Sequence, residues 1–287
     1  MGWMGDAQLT AEEAIHNFDM AAFYVKYLQD IKDAQQPDGS VSDVVPPYWP
    51  LYPADPAWGT AYVVLAWEMY RYYKDTDLLW YHYDGLKRYV EFLQSREEEN
   101  GLVNFIKYGD WCPPGSIPPK KTPRDITSAY SYYHDVLTLG KIAQVLGHSD
   151  DAEKYSTKAE AIRQAFNRKY YNKDVKTYGN GDQTSNVLGL QLGLCPPEDV
   201  DAVVGSLVRE ISESHDYHFD TGIIGIKYIL DTLSEHGEKE TAYRMITQES
   251  YPSFGYMIRE GATTIWERWE KLTGSGMNSH NHIMFGT

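Results

Sequence analysis

Four carboxylates that are candidates for chemistry each lie within three residues of a tryptophan. The pairs are Asp6 with Trp3, Asp55 with Trp58, Asp110 with Trp111, and Glu267 with Trp266 and Trp269. Each aspartate alone could be a turn residue or could favour the positive end of a helix. The recurrence of the pairing indicates instead that carboxylates and indoles serve a common binding or catalytic purpose.

A sugar is a ligand that suits this combination of side chains. It offers an apolar C–H face to an aromatic ring and a rim of hydroxyls to carboxylates and amides. Cleavage of a glycosidic bond also needs an acid at the leaving oxygen and a second carboxylate, which in inverting enzymes activates water at roughly 6.5–9.5 Å from the acid. The residue types therefore predict a carbohydrate site, with Glu267 as the candidate base.

The segment GATTIWERWE, residues 261–270, admits two interpretations. It is either a helix that buries its indoles and exposes its charges, or a site that gives a flat apolar ligand an acid or a base. The sequence pattern alone leaves both open.

Composition excludes several other classes of protein. The chain has 287 residues, 42% of them hydrophobic, and a formal charge of −15 that would repel the phosphates of a nucleic acid. It has no apolar run long enough to span a membrane and no N-terminal signal-peptide pattern. Cys112 and Cys195 match no metal-ligand spacing, His280 and His282 are poorly spaced for a metal, and glycine-rich nucleotide motifs are absent. We therefore predict no metal, no cofactor, no nucleic acid and no membrane partner.

Apolar residues at three- and four-residue spacing predict an almost entirely helical chain. The first predicted helix starts at a capping box of Thr10 and Glu13 and runs to a stop at 36–39. Its predicted apolar stripe is Ala14, Phe18, Ala21, Val25 and Leu28. Further helices are predicted at 60–73, 83–94, 128–146 with Gly147 as its stop, 151–166, 183–192, 198–212, 221–236 and 238–248, and a short strand at 102–108.

Long and short connections alternate between these predicted helices. The long ones carry Trp, Tyr, Asp and Gly, whereas the short ones are tight turns such as 74–78 and 147–150. A ring of helical hairpins would gather the long loops on one rim, where a pocket could form. The predicted fold is therefore an all-α, α/α toroid, formed by residues 1–287 as a single domain.

Six segments, in this order and at these intervals, resemble the catalytic domain of bacterial α-L-rhamnosidases of glycoside hydrolase family 78. They are GWMGDAQ (2–8), DPAWG (55–59), YGDW (108–111), TGIIG (221–225), GATTIWERWE (261–270) and SHNHIMFG (279–286). The resemblance covers the whole chain, and the combination is specific. It implies an (α/α)6 barrel that hydrolyses terminal α-L-rhamnosides with inversion, without a metal in the catalytic step.

The resemblance also implies roles for single residues. Glu267 resembles the general base, Asp6 the rhamnose-binding aspartate, and His282 the histidine that closes the site. Trp3, Trp58 and Trp111 resemble the tryptophans of the pocket, and Asp110 is added as a substrate-binding candidate because it precedes Trp111. These residues are expected to line one cavity, whose partner is a rhamnose-containing glycan or glycoside.

The sequence departs from the family pattern at both ends. The family's general acid is a glutamate in a segment of type D-E-R-L directly before Gly-Trp, where this chain has only Met1. The family also continues beyond Gly286 into a last barrel helix. The expectation is therefore a domain fragment that hydrolyses natural rhamnosides negligibly and that presents an apolar groove or an oligomer contact in place of the last helix.

Two other functions are consistent with the residues. One is a non-catalytic carbohydrate-binding remnant, in which the aromatic platforms persist without the acid. The other is a sugar epimerase on a similar α/α barrel, which needs two histidines facing each other across the substrate, a role for which only His282 and His134 are available.

Overall fold

The computed structural model describes residues 2–103, 105–274 and 278–286. Contacts divide the chain into two compact units. The first unit is Met1–Lys107 with Ser128–Phe166, and the second unit is Tyr108–Thr127 with Asn167–Thr287.

Helices form most of both units. The first unit begins with α1 Met4–Leu9, α2 Ala11–Asn17, α3 Ala21–Ala34, α4 Pro56–Gly59, α5 Ala61–Tyr73 and α6 Thr76–Gln94. Next come α7 Arg124–Val145 and α8 Ser149–Tyr170, followed by the two-residue strands β1 Tyr171–Asn172 and β2 Thr177–Tyr178, which pair antiparallel. The second unit continues with α9 Gln183–Leu190, α10 Val200–Arg209, α11 Ile223–Glu235, α12 Lys239–Ile246 and α13 Phe254–Arg259.

The pairing of α5 with α6 shows how sequence builds the core of the first unit. The Asp75 carboxylate accepts a hydrogen bond from the Leu78 backbone N–H at 2.9 Å and so starts α6 as an N-cap. The buried side chains of α6 include a stripe at three- and four-residue spacing, formed by Leu79, Tyr83, Leu86, Val90 and Leu93. This apolar stripe is the face that the helix turns to the core.

The predicted first helix is wrong in its continuity and in its apolar stripe. The chain leaves helical geometry at Phe18, whose φ is −139° and ψ is 156°. The Thr10 hydroxyl donates to the Asp6 carbonyl at 2.8 Å, so no capping box forms. Because the break resets the phase of the helix, Phe18 is 68% exposed and Val25 is also exposed. Leu28 of the predicted stripe is buried as expected, and the other buried residues of α3 are Tyr24, Tyr27 and Ile31.

The predicted strand at 102–108 is also wrong for the residues that the structure describes. Val103 makes only an isolated bridge to Glu97. The Lys107 backbone N–H donates instead to the Asp55 carboxylate at 2.7 Å, and the Phe105 carbonyl accepts from the Ser128 hydroxyl at 3.0 Å. These side-chain partners take the place of a ladder. Asn104 lies outside the described residues.

The other predicted helices are confirmed with shifted ends. Gly147 lies just beyond the end of α7 at Val145, as predicted for a helix stop. Its φ of 76° is one that glycine adopts at no steric cost. The all-α prediction is confirmed, since β1 and β2 are the only strands longer than an isolated bridge among the described residues. Among those residues no helix combines the length and the apolar character that crossing a membrane requires.

Two helical glycines predict opposite effects of an added methyl group. At Gly85 of α6 a Cβ would overlap the hydroxyl of the fully buried Tyr62, whereas at Gly205 of α10 the nearest atom lies 3.7 Å away. Gly205→Ala should raise the free energy of unfolding by about 0.5–1 kcal/mol, since alanine loses less backbone entropy on folding. Gly85→Ala should lower it by about 1–3 kcal/mol through overpacking. Urea denaturation measures both, and equal effects of the two substitutions would contradict the packing described.

Candidate functional site

Trp58 is a buried packing residue between two short helices of the first unit. The Asp55 carboxylate caps α4 by accepting from the Ala57 backbone N–H at 2.9 Å. The Trp58 indole lies against Gly5 of α1, where a Cβ would approach the indole nitrogen to 2.7 Å. Gly5 is therefore required for the approach of α1 to α4, and Trp58 presents little of its surface to a ligand.

Trp3 and Asp6 are the more accessible candidates of the first unit. Trp3 is the residue before α1, and Asp6 lies in the first turn of that helix. Both side chains are half-buried. Burial raises the pKa of the neighbouring Tyr27 phenol, and the Asp6 carboxylate raises it further. The structure thus brings Trp3 and Asp6 to the same end of α1, three residues apart.

Asp110 is fully buried, and its carboxylate accepts four hydrogen bonds within the second unit. The Thr184 hydroxyl donates at 2.6 Å, and the backbone N–H groups of Gly222, Ile224 and Gly225 donate at 2.8, 2.9 and 3.1 Å. Burial raises the pKa of Asp110, and the four donors oppose that rise. The Asp110 side chain therefore anchors the start of α11, and its substrate-binding role stays a prediction.

Trp111 completes the same connection through its backbone. Its carbonyl accepts the remaining N–H at the start of α11, from Ile223 at 2.8 Å. A Cβ at Gly222 would overlap the carbonyls of Asp110 and Trp111, so this position requires glycine. The Trp111 indole is half-buried and makes an edge-to-face contact with Tyr108 at 5.5 Å between ring centroids.

The segment 261–270 is not a helix, so the first interpretation of it is wrong. Its tryptophans are nevertheless core residues. Trp269 is fully buried, stacks on Phe219 at 5.2 Å and on Phe285 at 4.5 Å, and donates its indole N–H to the Thr221 carbonyl at 3.0 Å. Trp266 is buried and stacks on His280 at 4.9 Å. The indoles hold an irregular segment in place, and Glu267 between them stays half-buried.

Main-chain bonds hold Glu267 beside the segment that carries His282. The Glu267 N–H donates to the Ser279 carbonyl at 2.9 Å, and the Ser279 N–H donates to Oε2 of Glu267 at 2.9 Å. The His282 N–H donates to the Ile265 carbonyl at 2.8 Å. The structure thus brings Glu267 and His282 onto neighbouring, mutually bonded segments, and Ser279 is a residue that sequence reasoning missed.

The other charged residues of the segment have structural partners. Arg268 is almost fully buried and pairs with the Glu270 carboxylate at 2.8 Å. Glu270 also accepts from the Gly115 backbone N–H and the Tyr251 hydroxyl. Spacing does not separate Glu267 from Glu270, because each lies next to a tryptophan. The ion pair that gives Glu270 a structural role is visible only in the tertiary contacts.

The candidates fall into two groups. Trp3, Asp6 and Trp58 lie in the first unit, and Asp110, Trp111, Glu267 and His282 lie in the second. Each group has the local contacts described above. That all of them line one cavity stays a prediction, as does their common role.

One cluster of the described residues has the spacing of metal ligands. Glu210, His215 and Asp220 each offer one ligand atom within 4.8 Å of the others. The ammonium of Lys121 lies 2.9 Å from an Asp220 carboxylate oxygen and 2.9 Å from Nε2 of His215. Lys121 thus supplies positive charge to these carboxylates.

Comparison with known proteins identifies the fold and the relatives. The model of the bacterial α-L-rhamnosidase six-hairpin glycosidase domain matches residues 1–287. The solved α-L-rhamnosidase of Dictyoglumus thermophilum is 55% identical, with a TM-score of 0.96, over 100% of this chain and 32% of that one. The Streptomyces avermitilis α-L-rhamnosidase complexed with L-rhamnose is 32% identical, with a TM-score of 0.90, over 100% of this chain and 28% of that one.

A curated relative agrees with these structures. An α-L-rhamnosidase of Formosa agariphila is 34% identical over 306 residues, which cover 99% of this chain and 32% of the relative. This chain therefore spans about a third of the length of these three relatives. The comparisons confirm the predicted fold class, all-α of the (α/α)6 type, whereas the prediction of a single domain stays a prediction.

The four bonds of Asp110 predict a large loss of stability on its removal. Asp110→Ala should lower the free energy of unfolding by on the order of 3 kcal/mol, because several buried donors lose their acceptor at once. Asp75→Ala is the matched control: this N-cap accepts one backbone N–H, and its loss should cost about 1 kcal/mol. Urea denaturation compares the two. Equal losses would show that Asp110 is an ordinary cap and not an anchor.

Proposed function

This chain belongs to the family of bacterial α-L-rhamnosidase six-hairpin glycosidase domains, and we propose that it serves the hydrolysis of terminal α-L-rhamnosides with inversion at the anomeric carbon. It is thus a glycoside hydrolase domain of rhamnosidase type. The names of its relatives support rhamnose as the sugar, and the complex of the Streptomyces avermitilis relative contains L-rhamnose.

Glu267 is the proposed general base, and the observation that carries this proposal is the way it is held. Two buried tryptophans on either side fix the backbone, and the Ser279 N–H binds Oε2. This bond leaves Oε1 to accept the proton of a water molecule that attacks the anomeric carbon, while the bond from that carbon to the glycosidic oxygen breaks and an activated aryl group leaves as its phenolate. A carboxylate with one anchored oxygen is oriented before the substrate binds, which lowers the entropic cost of the reaction.

Trp3 and Asp6 are the proposed sugar-binding residues of the first unit. The half-exposed Trp3 indole offers an apolar face to the C–H groups of a pyranose. The Asp6 carboxylate accepts hydrogen bonds from hydroxyl groups, and the positive end of α1 stabilises its charge. His282 is proposed to close the site next to Glu267.

Glu267→Gln tests the general base. The amide cannot take a proton from water, so kcat on an aryl α-L-rhamnoside should fall by about 10²–10⁴-fold while KM changes little. An aryl substrate is chosen because its good leaving group needs little proton donation, which isolates the step that Glu267 assists. Glu249→Gln, at a surface carboxylate of the same unit whose side chain is 77% exposed, is the control and should leave kcat unchanged.

The assay uses the protein that contains this chain, with the anomer of the released sugar followed by NMR. Inversion predicts that β-L-rhamnose appears first. Unchanged kcat in Glu267→Gln would remove this residue from the role of base. Rhamnose binding without any turnover by the unmodified protein would favour a carbohydrate-binding function instead.

Asp6→Asn tests the sugar-binding carboxylate. Replacing the charged acceptor should weaken L-rhamnose binding by about tenfold or more, since a hydrogen bond to a charged group contributes about 1.5–3 kcal/mol. Asp77→Asn is matched to it, because Asp77 also lies in the first turn of a helix in the same unit and is exposed. Isothermal calorimetry should show unchanged affinity for the control. Equal affinities of both variants would exclude Asp6 from the site.

A further inference from the structure

Two aromatic side chains stand exposed at the tip of the loop between α3 and α4. Tyr48 is 84% exposed and Trp49 is 46% exposed. Their rings meet edge to face, with centroids 5.6 Å apart. Contiguous aromatic surface in water is a feature of binding sites, which makes this pair a candidate for contact with a ligand.

The loop that carries them is held firmly at its base. The Asp43 N–H donates to the Leu51 carbonyl at 3.2 Å, and the Lys107 ammonium donates to the same carbonyl at 3.1 Å. Lys107 also binds the fully buried Asp43 carboxylate, and the Tyr52 hydroxyl donates to the Ala34 carbonyl at 2.6 Å. Because the backbone is already ordered, binding through Tyr48 and Trp49 costs little further entropy.

The exposed pair continues directly into a proposed sugar-binding residue. The ring of Trp49 lies 6.3 Å from that of Trp3. Trp3 is tied to the loop through its bridge with Val44, and the Met4 N–H donates to the Asp43 carbonyl at 2.8 Å. The three aromatic rings thus form one contiguous surface that starts at the end of α1 where Asp6 lies.

We propose that Tyr48 and Trp49 bind the group to which the rhamnose is attached. The shared chemistry is a six-membered ring with an apolar face, supplied by a second sugar or by a phenolic ring. The Trp3 and Trp49 rings are inclined at 52°, and the Tyr48 and Trp49 rings at 64°, so the surface is angular and contacts a ring on its face and its edge. This proposal rests on the proposed function, because it assigns the leaving group of that reaction.

The test compares three ligands, each as its non-hydrolysable S-linked analogue: methyl α-L-rhamnoside, an α-L-rhamnosyl-glucose disaccharide and an aryl α-L-rhamnoside. Trp49→Ala and Tyr48→Ala should leave the Kd of the methyl glycoside unchanged. They should raise the Kd of at least one larger ligand by about threefold to tenfold, the contribution expected of an aromatic contact. The ligand that loses affinity identifies the leaving group as a sugar or a phenol.

Trp80→Ala is the matched control, since Trp80 is 71% exposed on α6 of the same unit. It should change no Kd, and Trp49→Phe should restore most of the lost affinity. A melting temperature close to that of the unmodified protein shows that each variant is folded.

The outcomes separate this proposal from the proposed function. If the unmodified protein binds the methyl glycoside but the larger ligands bind no better than it, or if the Trp49 and Tyr48 variants bind all three ligands normally, only the leaving-group assignment is wrong. If the methyl glycoside does not bind the unmodified protein at all, the proposed function and this inference are both wrong.

Discussion

The four hydrogen bonds accepted by the buried Asp110 carboxylate hold together the part of the second unit in which α9, the start of α11 and the Glu267 segment meet. One side chain satisfies three backbone N–H groups at the start of α11 and the hydroxyl of Thr184 on α9. A helix start buried without such partners would leave several donors unsatisfied, each at a cost of about 1–3 kcal/mol. The same turn also receives Trp269, whose indole N–H donates to the Thr221 carbonyl. The position of the Glu267 segment therefore follows from the turn that Asp110 holds.

The first unit uses buried carboxylates in a similar way. Asp43 accepts from the Asp55 backbone N–H at 2.7 Å and from Lys107, and Asp55 accepts from the Lys107 backbone N–H at 2.7 Å. These bonds close the base of the loop between α3 and α4. Asp55 also starts α4, which brings Trp58 against Gly5. The charged, largely buried residues where the loop begins and ends thus support its apolar, exposed tip. This arrangement is suited to presenting aromatic rings to a ligand.

The tryptophans beside carboxylates fall into two kinds. Trp58, Trp266 and Trp269 are buried and hold the backbone of the segments that carry candidate residues. Trp3 and Trp111 are half-buried and retain indole surface for a ligand. The recurrence of indoles next to carboxylates thus has two causes, one in packing and one in the proposed sugar binding. A carboxylate that has to stay in one orientation on an irregular segment needs large buried neighbours, since no helix or sheet holds its backbone.

The sequence by itself determined the helical class and most helix positions, because apolar periodicity, caps and glycine stops act over a few neighbouring residues. It also indicated the family, because six short segments occur in the order and at the intervals typical of that family. It could not show the break at Phe18, the loss of the strand near Val103, or the difference between Asp110, an anchor of α11, and Glu267, a half-buried carboxylate. The last two depend on partners such as Ser128, Gly222 and Ser279, twelve to more than a hundred positions away. Only the tertiary structure decides which polar groups meet, because a buried donor or acceptor takes the partner that the whole fold brings to it.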